Sequence, residues 1–177
     1  MYIFSKSDVG RMSMSSRPDR SDMDYINLQL RTAPRLSVDG LPLIKPPYGQ
    51  IVALDLNEGE ILWDAVHGET PDSIRNHPAL VGLDISRTGQ AGRVGLLVTK
   101  TLVIAGDGGS YTNADGDQEA LLRAYDKLTG EQLGSLAMPA QQTGSPMTYA
   151  IDGVQYLVVS ISGGDVPGRL RVYSYEP

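Results

Sequence analysis

The sequence contains few histidine or cysteine side chains, which are the residues most often used in acid–base catalysis and metal binding. The 177 residues include two histidines, His67 and His77, and no cysteine. The lack of cysteine excludes disulfides and thiolate metal sites, and two histidines supply too few ligands for a histidine-rich metal site. His77, in the stretch RNHPAL, could act as a general base. A loop histidine that fixes its own backbone is the favoured interpretation.

The acidic stretch NADGDQE, residues 113 to 119, resembles the beginning of a calcium-binding loop. Side chains with oxygen ligands alternate along it, and Gly116 stands at its turn. The twelfth position of such a loop normally holds a glutamate, but here it is Ala124. We therefore predict a solvated acidic loop between two strands, and no metal site.

The elements that position these residues are predicted to be strands, because frequent turn formers are typical of all-β proteins. The chain contains 20 glycines and 11 prolines, and turns such as LTG and IDG supply the positive φ that hairpins require. One plausible helix, of one or two turns, has Thr70 as its N-cap, Pro71 at its first position and Pro78 at its end. Alternation of apolar and polar residues predicts strands at 51–55, 60–64, 95–99, 101–105, 122–126, 132–137, 147–151, 155–160 and 170–175.

The N-terminal part of the chain is less regular. MYIF predicts a short strand, SKSDVGRMSMSSRPDRSD reads as a loop or an extended covering segment, and DYINLQLRTAP alternates weakly, as a strand with one buried face does. We therefore predict two parts: residues 1–40 as an N-terminal strand and extended loop segment, and residues 41–177 as the main β structure.

Composition excludes several classes of function. Hydrophobic residues make up 41% and charged residues 20%, as in a soluble globular protein, and the net charge is −6. A nucleic-acid-binding protein normally carries a basic patch, but Lys and Arg are scattered here. The sequence has no apolar run of about 18 residues that would span a membrane. It also lacks the apolar centre of a signal peptide at its start.

A hairpin sequence occurs twice, as GQIVALDLNEGEILWDAVHG (residues 49–68) and as ALLRAYDKLTGEQLGSLAMP (residues 120–139). Ala53 matches Ala124, Asp55 matches Asp126, and the same offset of 71 residues holds for the turn glycine that follows. Repetition at a fixed offset suggests stacked or radial supersecondary units, although a propeller blade needs only about 40–50 residues. Residues 68–93 are the apparent insertion that lengthens the spacing.

Each residue of the repeated pattern has a physical role. The aspartate accepts hydrogen bonds from backbone N–H groups of the turn, and the glycine takes the positive φ. Trp63 is expected to lie flat against the next unit, with its indole N–H bonded to a backbone carbonyl. Gly134 occupies the equivalent place in the second copy, and we expect neighbouring apolar side chains, Leu133 and Leu136, to fill that contact.

These residues carry a resemblance to a known family. IVALDLNEGEILW resembles the tryptophan-docking motif of the quinoprotein dehydrogenases, eight-bladed propellers that bind pyrroloquinoline quinone (PQQ). PPYGQIVALDL, GLLVTKTLVIAGDGG with LLRAYDKLTGE, and GSPMTYAIDGVQYLVVSISGG resemble successive C-terminal stretches of the glucose dehydrogenase branch. The resemblance covers residues 40–177 and implies an all-β fold, a partial β-propeller of four-stranded antiparallel blades.

The resemblance also implies which residues approach the cofactor. SGGDVPG matches the glycine-rich turn that lines the quinone pocket, so Gly163 and Gly164 would let the backbone approach the planar ring. Lys45, before a strand, would point towards the propeller axis in the family; an exposed loop lysine is the favoured interpretation. Leu121 occupies the place of an aromatic residue that faces the cofactor in the family. The catalytic acid and calcium ligands come mainly from earlier blades, so no catalytic residue is assigned here.

The function implied is therefore that of a C-terminal segment of a periplasmic, PQQ-dependent sugar or alcohol dehydrogenase, an oxidoreductase with an incomplete active site of its own. Its cofactor would be PQQ with calcium in the complete enzyme. Nine predicted strands make fewer than three full blades, so we expect self-association or further blades to cover the exposed faces. The alternative is a non-enzymatic propeller-like scaffold that binds other proteins.

Overall fold

The structure is a computed structural model that describes residues 1–7, 12–15, 26–29 and 36–175. The chain forms two compact units, one made of Met1–Ser7 with Pro46–Pro177 and the other of Asp8–Lys45. Its strands are β1 (Tyr2–Lys6), β2 (Met12–Ser15), β3 (Ile26–Gln29), β4 (Ser37–Val38), β5 (Leu41–Pro42), β6 (Gly49–Asp55), β7 (Glu60–Val66), β8 (Leu97–Val98), β9 (Leu102–Gly106), β10 (Tyr111–Thr112), β11 (Gln118–Asp126), β12 (Gln132–Met138), β13 (Met147–Ile151), β14 (Val154–Gly163) and β15 (Val166–Tyr175).

The larger unit contains three antiparallel sheets. The first sheet has the order β1-β6-β7, the second has the path β10-β11-β9-β8 with β12 also paired to β11, and the third has the order β13-β14-β15. Consecutive hairpins of this kind are how propeller blades are built. The prediction of an all-β fold assembled from antiparallel blades is therefore confirmed, but the sheets have three, five and three strands where four were expected in each.

Alternation along the strands produces the core, because successive side chains of a strand point to opposite faces. In β6, Ile51 and Ala53 are buried and their neighbours are half-exposed. One apolar cluster joins the first two sheets and consists of Ile51, Ala53, Trp63, Val103, Ala105 and Tyr125. A second joins the second and third sheets and consists of Ala120, Leu122, Met138, Ala140, Val159 and Ile161.

All nine strands predicted after residue 40 are present, most of them longer by one to four residues than the sequence indicated. The strand predicted at MYIF is β1, and it pairs with β6 in the register Tyr2↔Ala53. The smaller unit holds two short hairpins, β2-β3 and β4-β5. Strand β2 lies where a loop or extended segment was predicted. The domain boundary at residues 40 and 41 stays a prediction.

The predicted helix is present but shorter, and its capping was wrong. The helix α1 spans Asp72–Arg75 with Pro71 at the N-cap position and no side-chain cap. Thr70 instead accepts a hydrogen bond from the backbone N–H of Thr88, 3.1 Å away, because its hydroxyl faces the returning loop. Pro78 begins a short 3-10 turn, Pro78–Leu80, and the His77 ring accepts the Ala79 N–H. His77 thus fixes its own backbone, as its favoured interpretation held.

Candidate functional site

Trp63 joins the first sheet to the second sheet as the repeat predicts. Its side chain is 9% exposed and lies over the turn of the second hairpin, so close that a Cβ on Gly130 would be 2.6 Å from the indole Cε3. The indole N–H donates to the carbonyl of Lys127 at 3.1 Å. The hydroxyl of Tyr2 donates to the same carbonyl at 3.2 Å. The docking geometry expected from the sequence is confirmed.

The turn chemistry of both hairpins is also confirmed. Asp55 accepts the N–H of Asn57 at 2.8 Å, and Asp126 accepts the N–H groups of Leu128 and Thr129 at 2.8 and 2.9 Å. The backbone donors of Thr129 and then Leu128 lower the pKa of Asp126. The turn glycine that follows each aspartate has a φ of 73° in the first hairpin and 75° in the second.

The residues proposed to fill the place opposite Gly134 do not do so. Leu133 is 57% and Leu136 is 50% exposed. A Cβ on Gly134 would meet no atom of the described residues within 4 Å. The expectation was wrong because both leucine side chains point into solvent and not across Gly134, where the described residues leave the space within 4 Å empty.

His67, directly after β7, is completely buried between the first two sheets. Its Nε2 lies 3.1 Å from the Gly106 carbonyl, which only accepts, so this nitrogen carries the proton. Its Nδ1 therefore accepts the Tyr125 hydroxyl at 2.8 Å. Burial lowers the pKa of His67 to about 4, with Arg123 adding to the effect and Asp107 opposing it. At neutral pH the ring is uncharged and acts as a fixed hydrogen-bonding partner.

A buried ion pair lies beside this histidine. Arg123, 1% exposed, donates from Nε and Nη2 to the two oxygens of fully buried Asp107 at 2.8 and 3.1 Å. Its Nη2 also bonds Glu69 at 2.9 Å, and its Nη1 bonds Gln132 at 3.2 Å. Burial alone would lower the pKa of Arg123, but the two carboxylates outweigh it and raise that pKa. The guanidinium therefore stays charged and satisfied.

Asp107 connects this pair to the ends of several strands. Its Oδ2 accepts the N–H of Leu121 at 3.0 Å, and its own N–H donates to the Leu121 carbonyl at 2.8 Å. The Asp107 carbonyl accepts the N–H of Gln142 at 2.9 Å. The Gln142 side chain in turn accepts the Gly106 N–H at 2.6 Å and donates to the Gly95 carbonyl at 2.8 Å. We call Asp107 and Gln142 the polar junction.

Hydrogen bonds through the polar junction and Gln141 link the segments that contain two of the predicted site regions. Leu121 is half-buried beside Asp107 in the second sheet. In the third sheet the N–H of Ser162 donates to the carbonyl of Gln141 at 3.1 Å. Gly163 follows directly, and a Cβ on it would lie 3.3 Å from the Gln141 side chain. Leu121 and the glycine turn thus lie on adjacent sheets, on either side of residues 141–142.

The glycine turn has the backbone that its sequence predicts. Gly163 has a φ of 148° and Gly164 a φ of 56°. A Cβ on Gly164 would meet nothing within 4 Å, so one side of this turn is open. Lys45 is exposed and belongs to the other compact unit. The cofactor-binding roles of Gly163, Gly164, Leu121 and Lys45 stay predictions.

The acidic loop uses its side chains internally. Asn113 accepts the N–H groups of Asp115 and Asp117 at 3.0 and 2.9 Å, and its amide donates to Glu119 at 3.3 Å. Tyr111 bonds Glu119 at 3.2 Å, and burial followed by that carboxylate raises the pKa of Tyr111 to about 12. Within residues 1–7, 12–15, 26–29 and 36–175, no three His, Cys, Asp or Glu side chains are grouped so as to hold a metal.

The inserted segment 68–93, which follows the first sheet, contacts strand β10 directly before this loop. Asp72 accepts the hydroxyl of Thr112 at 2.6 Å and its N–H at 3.0 Å. The Arg75 guanidinium lies 5.6 Å from the ring centre of Tyr111. The insertion is therefore an ordered bridge between the two repeated units.

Sequence reasoning missed the polar junction and the ion pair. One signal was available: Arg123 stands in the apolar strand LLRAYD, and a charged residue at a buried strand position requires a partner. Its partner, Asp107, lies 16 residues earlier, just after a predicted strand. No pattern in the sequence identifies Gln142, whose role depends on how the second and third sheets meet.

Comparisons with known proteins agree with this geometry. The sequence model for the β-propeller domain of glucose, ethanol and alcohol dehydrogenases, named PQQ, matches residues 5–157. Quinoprotein glucose dehydrogenase of Escherichia coli K12 is 34% identical over 140 residues, which cover 73% of this chain and 15% of that protein.

Two further relatives have similar values. Quinoprotein glucose dehydrogenase A of Acinetobacter calcoaceticus is 31% identical over 128 residues, covering 72% of this chain and 15% of that protein. A probable quinate dehydrogenase (quinone) of Xanthomonas campestris pv. juglandis is 32% identical over 135 residues, which cover 72% of this chain and 15% of that protein. The chain thus spans about 15% of the length of these curated relatives.

Proposed function

Because the chain belongs to the β-propeller domain family of the PQQ-dependent glucose, ethanol and alcohol dehydrogenases, we propose that it supplies three C-terminal blades of a sugar or alcohol dehydrogenase. The family match over residues 5–157 carries this proposal. The seating of Trp63 on the second hairpin supports it, because that contact stacks sheets in the manner of propeller blades.

The surface that the chain contributes to the active site lies beside the polar junction and consists of Leu121 and the glycine turn. A Cβ on Gly164 would meet nothing within 4 Å, so a planar ring would approach the turn from this side. Gly163, Gly164 and Leu121 would hold PQQ from this side, and Lys45 is a further candidate ligand. When bound there, PQQ would supply the chemistry of a hydride acceptor for a sugar or alcohol, with a quinone or cytochrome as the final electron acceptor. Asp107 fixes the backbone of Leu121 by a hydrogen bond. The Gln142 side chain bonds the backbone of Gly106 and Gly95.

The site needs more than this chain provides. The described residues offer no group of three side chains that could hold calcium, so calcium would be bound by residues from outside them. Self-association or further blades would complete the ring, and the parent enzyme would work in the periplasm. No helix among the described residues has the length and apolar character to cross a bilayer.

A spectroscopic titration tests the proposed role of the glycine turn. The chain is titrated with PQQ in the presence of calcium while the quinone absorbance is followed. We expect a saturable change that Gly164→Val weakens by at least about tenfold, since the valine would fill the space meant for the ring. Dye reduction with glucose should be absent from the chain alone.

Gly153→Val is the matched control. Gly153 also lies in a turn of the third sheet, has a φ of 83°, and faces open space. Its substitution carries the same backbone strain, so PQQ binding should be unchanged from the unsubstituted chain. Equal losses in both variants would refute the role of Gly164. No absorbance change in the unsubstituted chain would favour a non-enzymatic scaffold or a segment that binds no cofactor by itself.

A further inference from the structure

Glu69 connects the buried ion pair to the inserted segment 68–93. Its side chain is 24% exposed, and its Oε1 accepts a hydrogen bond from Nη2 of Arg123 at 2.9 Å. Its other oxygen, Oε2, lies 3.6 Å from Nη2 of Arg75 in α1. Charges of opposite sign therefore alternate from the second sheet to the insertion, in the order Asp107, Arg123, Glu69 and Arg75.

Arg123 does not need Glu69 for neutralisation. The pair of Arg123 and Asp107 already holds one charge of each sign and two hydrogen bonds, at 2.8 and 3.1 Å. A further carboxylate at this place gives up part of its hydration. What it adds is a connection to α1, because its second oxygen pairs with Arg75. The position of Glu69 is explained by this connection and not by charge balance.

One nitrogen and one oxygen separate Glu69 from the backbone of Leu121. Nη2 of Arg123 carries two hydrogens, and it donates to Glu69 Oε1 at 2.9 Å and to Asp107 Oδ2 at 3.1 Å. The same Oδ2 accepts the N–H of Leu121 at 3.0 Å. A displacement of Nη2 therefore acts directly on the oxygen that holds the Leu121 amide.

The returning end of the insertion meets the same guanidinium. Arg87 donates to the side-chain oxygen of Gln132 at 3.0 Å and to the carbonyl of Val66 at 2.8 Å. That Gln132 oxygen also accepts Nη1 of Arg123 at 3.2 Å. The segment thus leaves and returns beside Arg123, as in compact loops whose two ends lie close together.

We propose that Glu69 is a positioning residue that fixes the backbone of Leu121 through Arg123 and Asp107. The inference rests on the proposed function only where it treats Leu121 as a contact of PQQ. Loss of the carboxylate would leave one hydrogen of Nη2 without an acceptor in a buried place, and this favours the entry of water beside Asp107. The Leu121 amide would then open to solvent more often, so the order of the insertion and the order of the proposed cofactor surface are coupled.

Hydrogen exchange of the Leu121 amide, followed by NMR, tests this coupling. In Glu69→Ala we expect the amide to exchange at least about tenfold faster than in the unsubstituted chain. Glu69→Gln keeps an oxygen acceptor for Nη2, so most of the protection should return. Substitution of Arg123 is a poorer test, because it would leave Asp107 buried without its partner and endanger the fold.

Thr70→Val is the matched control. Thr70 is the next residue of the same segment, is 8% exposed, and accepts the N–H of Thr88 on its hydroxyl at 3.1 Å. The variant therefore loosens the insertion without removing a partner of Arg123, and Leu121 exchange should stay within about twofold of the unsubstituted value. Equal acceleration in Thr70→Val and Glu69→Ala, or unchanged exchange in Glu69→Ala, would overturn the proposal.

A titration of the same variants with PQQ separates this inference from the proposed function. Where the unsubstituted chain shows the quinone absorbance change, Glu69→Ala should need several-fold more PQQ for half saturation and Thr70→Val should not. An unchanged midpoint in Glu69→Ala would contradict the coupling to the cofactor surface. Absence of the absorbance change, with the expected response of Leu121 exchange, would leave Glu69 as a positioning residue and refute the contact of Leu121 with PQQ.

Discussion

The first hairpin, β6-β7, and the second, β11-β12, have the same backbone pairing but differ in the surroundings of one equivalent position. Trp63 pairs with Ala53, and Gly134 pairs with Ala124, in identical register. Each hairpin has a bulge directly after that alanine. Trp63 is buried against the turn of the second hairpin, but nothing within 4 Å approaches the place where Gly134 would carry a Cβ.

This difference separates the local from the non-local part of the motif. The aspartate and glycine of each turn act within five residues, so both copies keep them. The indole acts only on a neighbouring sheet, so its value depends on a turn 64 residues further along the chain. The motif therefore forms a hairpin in both copies, but only the first copy uses it to bind a neighbouring sheet.

Trp63→Ala should give the largest effect. It removes a buried indole and the hydrogen bond to Lys127, and such truncations lower the free energy of unfolding by about 3–5 kcal/mol. Chemical denaturation measures the loss. Trp63→Phe, which keeps an aromatic ring but not the N–H, should lose less. Equal losses from the two substitutions would mean that the hydrogen bond, and not burial, holds the sheets together.

A pH dependence of stability caused by a histidine should belong to the first hairpin and not to the second. The offset of 71 residues places Met138 at the position of His67. The native pKa of His67 is about 4, against 6.5 for the ordinary ring, so the unfolded chain binds the proton more tightly. Stability should be complete above pH 6.5 and should fall by roughly 3 kcal/mol as the pH drops towards 4.

His67→Met, which imitates the second hairpin, tests this dependence. The variant will be less stable overall, because the Tyr125 hydroxyl loses its partner. The measured quantity is the slope of the free energy of unfolding against pH between 4 and 6.5, which should become smaller. An unchanged slope would assign the acid sensitivity to other groups.

The two turn glycines should respond unequally to the same substitution. Gly59 and Gly130 have nearly the same positive φ, but only Gly130 lies under the indole. Alanine at either position should lose about 1–2 kcal/mol for the backbone alone. Gly130→Ala should lose about 1–3 kcal/mol more, because its methyl would overlap Trp63. In the Trp63→Ala background the excess should disappear, which a double-mutant cycle would measure.

Gly134→Trp should have the smallest effect on the single chain. Because no atom of the described residues lies within 4 Å of a Cβ at this position, we expect the new indole to stay in solvent, and surface substitutions of this kind change stability by within about 0.5 kcal/mol. A thermal melt measures the change. A large stabilisation would mean that the second hairpin has a docking surface after all, and that Gly134 is only a degenerate copy of Trp63.

The sequence predicted what depends on short-range pattern or on the repeat. Alternation identified the strands, the aspartate and glycine identified the turns, and the indole of Trp63 identified the contact between sheets. It did not predict that Asp107 meets Arg123, because side-chain pairs between strands depend on register. It gave the wrong neighbours for Gly134, because the pattern of a strand does not tell which surface lies opposite it.

The pairing of β1 with β6 has a consequence for synthesis of the protein. Tyr2 lies opposite Ala53, so during synthesis this strand has no partner until some fifty further residues have been added. At about 5–20 residues per second, that is a wait of several seconds during which its apolar side chains are available to chaperones. Deletion of the first six residues would remove this delay, and with it the strand that completes the first sheet.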